Sequence, residues 1–300
     1  MKLGPLALRI IVRHITRADA KRMKTFPDPA PYRPICDINV FGDSEFYHCA
    51  DVFHAKEEVR KNKTIVYVHG GAYLFGSRKA GFGFVVVLLE HGYDVVCLDY
   101  LRNVGKRSCY EQLSTLAAEI RYLETHAKEL DINAKDMALV GDSAGGHFAL
   151  LLAELSDDLS LQKESGLSLG EAKFHGVAAS CPVYDVVRAT RTPLMNKRAQ
   201  KFMFGPKFND PMHYSLISPR AHVASLKMPL FVSSCTNDFL RQESFDLRDD
   251  FANLGRKMEF VYIESDRKAV SHVHNITMPE MPESIQVNDA MLSFFDKALS

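Results

Sequence analysis

Apolar residues fall into short runs of strand length along most of the chain: residues 35–41, 46–54, 64–69, 94–100, 136–141, 174–181, 229–235 and 258–263. Between the later runs lie stretches with helical spacing of apolar positions, near 79–91, 110–129, 144–157, 240–254 and 283–298. Strand and helix in alternation predict a doubly wound α/β fold, a mostly parallel sheet flanked by helices. No helix separates the first two runs, so they are expected to form an antiparallel hairpin that feeds the sheet. Residues 185–225 break the rhythm, with Pro193, Pro206, Pro211 and Pro219 interleaved with Met195, Phe202, Met203, Phe204 and Phe208. That stretch is too long for an ordinary connection and reads as an insertion over the sheet.

At the start of the chain Leu3, Leu6, Ala7, Ile10, Ile11 and Ile15 recur at helical spacing, with Lys2, Arg9, Arg13, Arg17 and Lys21 mostly on the other side. This predicts a basic amphipathic helix whose apolar face packs on the domain, in preference to one that lies on a membrane. The prolines of Phe26 to Pro34 then forbid regular structure and make a linker. The organisation expected is a helix and linker over 1–34 that serves as a cap element, and a single domain over 35–300 carrying the insertion.

The 300 residues balance 37 Lys and Arg against 37 Asp and Glu, with a sequence pI near 7.2 and 46% hydrophobic residues. A chain this apolar folds, and its neutrality leaves no global field to gather polyanions, which argues against nucleic acid as a partner. The six cysteines are scattered singly with no zinc spacing, so no metal site is expected and the thiols read as reduced, in keeping with a cytoplasmic protein. Arg9 and Arg13 interrupt the N-terminal apolar stretch, a poor signal peptide, and no apolar run reaches transmembrane length.

Two glycine-rich motifs carry chemistry. Gly141-Asp142-Ser143-Ala144-Gly145 follows the run MALV and precedes the helix-like GHFALLLAEL, which places Ser143 on a strand-to-helix turn. A serine there is set at a helix N-terminus that favours developing negative charge. Upstream, His69-Gly70-Gly71-Ala72 ends the run TIVYV, where bare backbone can aim two N–H groups at an oxyanion. A serine hydroxyl needs a base, and the base an orienting acid, in the order Ser, acid, His. Asp238 closes the run PLFVSSCTN, a position that also suits a helix cap. His272 and His274 both lie in the loop after KMEFVYIES, and the spacing alone leaves either as the base.

These motifs resemble those of the hormone-sensitive-lipase-like branch of the α/β-hydrolases, a family of carboxylesterases and lipases. The likeness rests on HGGAY at 69–73, GDSAGG at 141–146, ISP at 217–219, NDFLRQES at 237–244 and HVHNI at 272–276. It implies an α/β-hydrolase fold, a Ser143–His272–Asp238 triad, and an oxyanion hole from the N–H groups of Gly70, Gly71 and Ala144. It also implies a cap made by the N-terminal helix and the insertion, with Tyr73, Met203 and Phe204 as candidate substrate contacts. Two departures stand out: His274 occupies a position that is commonly Phe in the family, and the loop from Tyr100 to Tyr110 lacks the family's proline. The resulting expectation is a serine carboxylesterase for short-to-medium acyl esters of small molecules, with no cofactor. Amide hydrolysis by the same triad, a binding role without turnover, and a homodimer are left open.

Overall fold

The computed structural model describes residues 2–190, 195–207 and 210–300. Eight strands form one sheet: β1 Ile35–Asn39, β2 Cys49–Phe53, β3 Thr64–Val68, β4 Asp94–Leu98, β5 Met137–Asp142, β6 Phe174–Ser180, β7 Leu230–Cys235 and β8 Glu259–Ile263. Their order is β1-β2-β4-β3-β5-β6-β7-β8. The pairs β1–β2 and β2–β4 are antiparallel and the other five parallel, so the expected hairpin does feed a parallel sheet. The second run starts at Cys49 and not at 46, because Phe46–His48 winds into a 3-10 turn capped by the Glu45 carboxylate.

Alternation along each strand explains the layers. Val66, Val68, Val96, Leu98 and Leu139 point to one side, into a core shared with helices Cys109–Thr125 and Ala144–Asp157. Ile65, Tyr67, Val95, Cys97 and Val140 point to the other, against Phe82–Glu90 and Pro282–Ala298. Strands so covered on both faces are apolar through their middles, and β3, β4 and β5 are buried at every position, with polar Thr64, Asp94 and Asp142 only at their ends. The chemistry is therefore confined to the loops at the strands' carboxyl ends.

Helix Pro5–Met23 begins with proline at its first position, where the fixed φ suits a helix start and the missing N–H costs nothing. It runs two turns beyond the last apolar repeat at Ile15. The face that packs is not the one expected: Leu8 is the helix's buried residue and Val12 packs near it, whereas Leu6, Ile10 and Ile11 remain 72%, 61% and 42% exposed. The helix rests on the insertion between β6 and β7. Leu3 bridges Met195, its carbonyl accepts the Asn196 N–H at 3.1 Å, and the Arg9 guanidinium covers the Phe202 ring at 5.1 Å. Within the insertion lie helices Val186–Thr190, Lys197–Phe204, Pro211–Ile217 and Pro219–His222. Pro193 and Phe208 lie outside the described residues.

Candidate active site

Ser143 sits between β5 and helix Ala144–Asp157 with φ 52° and ψ −116°, a backbone conformation that L-residues rarely adopt. Two glycines make the turn possible. A Cβ on Gly145 would stand 2.1 Å from the Val68 carbonyl oxygen, and one on Gly141 would stand 2.3 Å from the Gly145 carbonyl oxygen. The serine backbone is held by its N–H to the Ser180 carbonyl (2.9 Å) and by its carbonyl accepting from His147 (3.1 Å).

His272 reaches the serine from the loop after β8. Its Nε2 lies 2.9 Å from Ser143 Oγ and its Nδ1 lies 2.6 Å from Asp238 Oδ1. A carboxylate only accepts, so Nδ1 carries the proton and Nε2 is left free to accept from the serine hydroxyl. Asp238, 1% exposed, also accepts from the Leu240 N–H at 2.9 Å and the Ser234 hydroxyl at 2.8 Å. Burial alone would raise its carboxyl, but the bonds from His272, Leu240 and Ser234 outweigh burial and hold it below the usual carboxylate range. His274, in contrast, is buried with Nδ1 at 2.9 Å from Ser284 Oγ, so the two histidines do not converge.

Two supports of this arrangement escaped the sequence reading. The Asn237 side chain donates to the carbonyls of Ser265, Arg267 and Val270, and its backbone bridges Ser271, which pins the acid's loop to the histidine's. The only hint was its place in NDFLRQES. Phe239, 76% exposed, lays its ring 4.2 Å from the His272 imidazole, inclined by 39°.

The HGGA loop follows β3, and Gly71, Ala72 and Tyr73 all have positive φ there. Gly71 has no substitute: at φ 139° a Cβ would fall 1.9 Å from the Phe75 carbonyl oxygen. Gly70 departs from the expectation. Its N–H donates to Asp142 Oδ1 at 2.9 Å, an oxygen that also accepts from the Tyr67 hydroxyl at 2.8 Å. The β3–β5 register opposes Val68 to Gly141 and so carries Asp142 beside Gly70. Gly70 is thus committed to a carboxylate. Among the described residues none accepts from the N–H groups of Gly71, Ala72 or Ala144. Burial pushes the Asp142 carboxyl up, against the opposing pull of Tyr67, His69 and Gly70.

Of the candidate substrate contacts, Tyr73 and Phe204 are brought together with ring centroids 5.6 Å apart, both buried. Met203 is half-buried beside Phe204. The Tyr73 hydroxyl lies 3.2 Å from Nδ1 of His147, whose Nε2 lies 2.6 Å from the Ile217 carbonyl. The carbonyl requires the proton on Nε2, so Nδ1 accepts and the ring is neutral. Burial lowers the His147 pKa to about 4, partly opposed by the Ile217 carbonyl. Between pH 6.5 and about 4 the unfolded chain takes up a proton there that the folded one refuses, so stability falls as pH falls. The loss expected over that window is about 2–3 kcal/mol. Urea unfolding at pH 7 and pH 4.5 should show a steeper decline for wild type than for His147→Gln, and equal declines would refute the assignment.

Cys181 Sγ, an Asp238 oxygen and a His272 nitrogen lie within 4.8 Å of one another. Burial and the Asp238 charge push the Cys181 thiol well up, which keeps it protonated and a poor metal ligand. Among the described residues no helix is long and apolar enough to cross a membrane.

Beneath the HGGA loop, His69 stacks on Tyr100 at 4.4 Å, receives the Tyr100 hydroxyl at its carbonyl (3.0 Å), and places Nε2 3.0 Å from Asp99 Oδ1. Asp99 belongs to a cluster in which the buried Arg78 reaches buried Asp51 and Asp99 and the exposed Asp37.

The family model described as BD-FAE matches residues 50–246. The probable carboxylic ester hydrolase LipM of Mycobacterium tuberculosis (strain ATCC 25618 / H37Rv) is 24% identical over 178 residues, 58% of this chain and 40% of that protein. An esterase of Gibberella moniliformis (strain M3125 / FGSC 7600) is 31% identical over 108 residues, 35% of this chain and 33% of its own length. The chain therefore spans less than half the length of these curated relatives. Among solved structures, esterase B from Lactobacillus rhamnosis inhibited by a tributyrin phosphonate superposes with a TM-score of 0.87 at 22% identity, covering 98% of this chain and 95% of that one. A bacterial heroin esterase gives 0.73 at 17% identity, covering 100% and 94%.

Proposed function

Because the chain belongs to the BD-FAE family and folds as an α/β-hydrolase, we propose that it is a serine carboxylesterase acting on short-to-medium acyl esters. The observation that carries this reading is the single imidazole between Ser143 Oγ and Asp238. Ser143 attacks the ester carbonyl while His272 Nε2 takes its proton. Asp238 stabilises the imidazolium, and the proton passes to the departing alcohol. Water then repeats the sequence on the acyl-enzyme. The oxyanion is held by the N–H groups of Gly71 and Ala144, with Ala72 taking the role that Gly70 gives up to Asp142. The N-terminal helix and residues 185–225 act as the cap, with Tyr73, Met203 and Phe204 near the acyl chain. All six cysteines are free thiols, in keeping with a reducing, cytoplasmic setting.

The test is turnover of p-nitrophenyl esters from acetate to dodecanoate, with matched anilides alongside, and labelling by a tributyrin-type phosphonate. Ester turnover that peaks below dodecanoate, with one phosphonate bound on Ser143, is the expected result. Anilide turnover exceeding ester turnover would make the protein an amidase, and labelling away from Ser143 would overturn the triad.

A further inference from the structure

The cap carries an unusual charge distribution for a neutral chain. Residues 2–25 hold Lys2, Arg9, Arg13, Arg17, Lys21, Arg22 and Lys24 against the single Asp19, which is paired with Arg22 at 3.0 Å. Residues 195–207 add Lys197, Arg198, Lys201 and Lys207 with no acidic residue. The two stretches pack together through the Leu3–Met195 bridge and the Arg9–Phe202 contact. The two stretches together therefore hold eleven basic residues and one acidic one, a net of +10 in a chain whose total is zero, which leaves −10 for everything else. Helical spacing puts Leu6 and Ile10 on the side of the helix opposite buried Leu8, in line with Arg13 and Arg17 one and two turns on. Exposed leucine and isoleucine in line with exposed Arg13 and Arg17 match one chemistry: hydrocarbon and anionic headgroups only a few ångströms apart.

We propose that this cap face docks on an anionic phospholipid leaflet, with Leu6 and Ile10 entering the acyl boundary and the surrounding Lys and Arg meeting the headgroups. A soluble acidic partner would satisfy the cations but gives no reason for two large apolar side chains to stand in water beside them. A second copy of the chain would have to bring its acidic body against an apolar ridge. The underside of the same cap meets the active-site loop through Phe204 on Tyr73, and Arg22 donates to the Ala80 carbonyl at 3.1 Å. Docking therefore sets the site beside the leaflet, where esters of low water solubility collect. That last step rests on the esterase reading, whereas the binding does not.

Vesicle co-sedimentation of the whole chain tests the binding without reference to turnover. Vesicles of phosphatidylcholine with about 30 mol % phosphatidylglycerol should retain at least about tenfold more protein than phosphatidylcholine alone, and less as salt rises. Leu6→Glu/Ile10→Glu should lose about tenfold or more of that binding, and Arg13→Glu/Arg17→Glu should lose the preference for anionic vesicles. All four positions are exposed, so both variants should keep the melting temperature and the wild-type rate on a soluble acetate ester. Three outcomes would overturn the proposal. The wild type could stay in the supernatant with anionic vesicles. Leu6→Glu/Ile10→Glu could bind as well as wild type, leaving only a polyanion patch. Sedimentation could show a dimer that the same variant dissociates, making the face a subunit contact.

Discussion

Ser143→Ala is expected to lower kcat on a p-nitrophenyl ester by about 10⁴- to 10⁶-fold while leaving KM within a fewfold, because it removes the atom that forms the acyl-enzyme and little else. His272→Ala should fall in the same range, and the double variant hardly further, since the two groups act as one unit. His274→Gln supplies the contrast. Its side chain meets Ser284 and not the serine, so activity should stay within about tenfold of wild type once thermal melts show it folded. Alanine at 143 keeps the unfavourable φ of 52° and so gains no stability from the loss of function. Ser143→Gly relieves that backbone and should be more stable than Ser143→Ala by about 1 kcal/mol, while equally inactive. Equal stability would mean that the turn stores no strain. More than about one per cent of wild-type turnover in Ser143→Ala, measured on protein freed of contaminating esterase, would remove the serine from the mechanism.

What the sequence revealed about this site followed from locality. The turn at Ser143 is written within five residues, because a strand, a tight glycine-flanked bend and a helix start each have short-range signatures. Period-two and period-3.6 patterns likewise placed all eight strands, since β3 to β7 are short apolar runs that only a sheet covered on both faces can use. Contacts that depend on register were out of reach. Gly70 loses its N–H to Asp142 because β3 lies beside β5 at one particular offset, which no motif states. The N-terminal helix shows the same limit in another form. Spacing fixes which residues share a face, but Leu8 turns inward while Leu6 and Ile10 turn outward only because the insertion meets the helix from one side. His272 and His274 are equivalent by spacing, and what separates them is the positive φ of 53° at Val273 between them.

The largest stability loss is expected from Arg78→Met, at about 3–5 kcal/mol. The guanidinium is fully buried, with Nε 2.9 Å from Asp51, Nη1 on Asp99, Nη2 on Asp37 and a further bond to the Phe46 carbonyl at 3.2 Å. Burial by itself would lower the Arg78 pKa, but Asp51 and Asp99 hold it above the usual arginine range. Asp51 and Asp99 are 1% and 0% exposed, so methionine would strand two carboxylates where water cannot reach them. Burial, and then the Asp99 charge, push the Glu119 carboxyl well up, which disfavours a further negative charge beside the cluster. Arg78→Lys keeps one positive charge but not the fork that serves three carboxylates from one centre, and should lose about 1–3 kcal/mol. Arg267→Ala breaks a pair whose arginine is 57% exposed and should change stability by less than about 0.5 kcal/mol. Urea unfolding at neutral pH orders the three. If Arg78→Met lies within 1 kcal/mol of wild type, the cluster does not hold the fold. Where the loss appears first is also determined. Asp37 lies on β1, Asp51 on β2 and Asp99 just beyond β4, so Arg78 ties the antiparallel hairpin to the parallel sheet. Amide exchange in Arg78→Met should therefore accelerate in β1 and β2 before it does in β5 and β6. His69 meets Asp99 in the same cluster, so a folded Arg78→Met should also lose kcat through a loosened HGGA loop, with KM little changed.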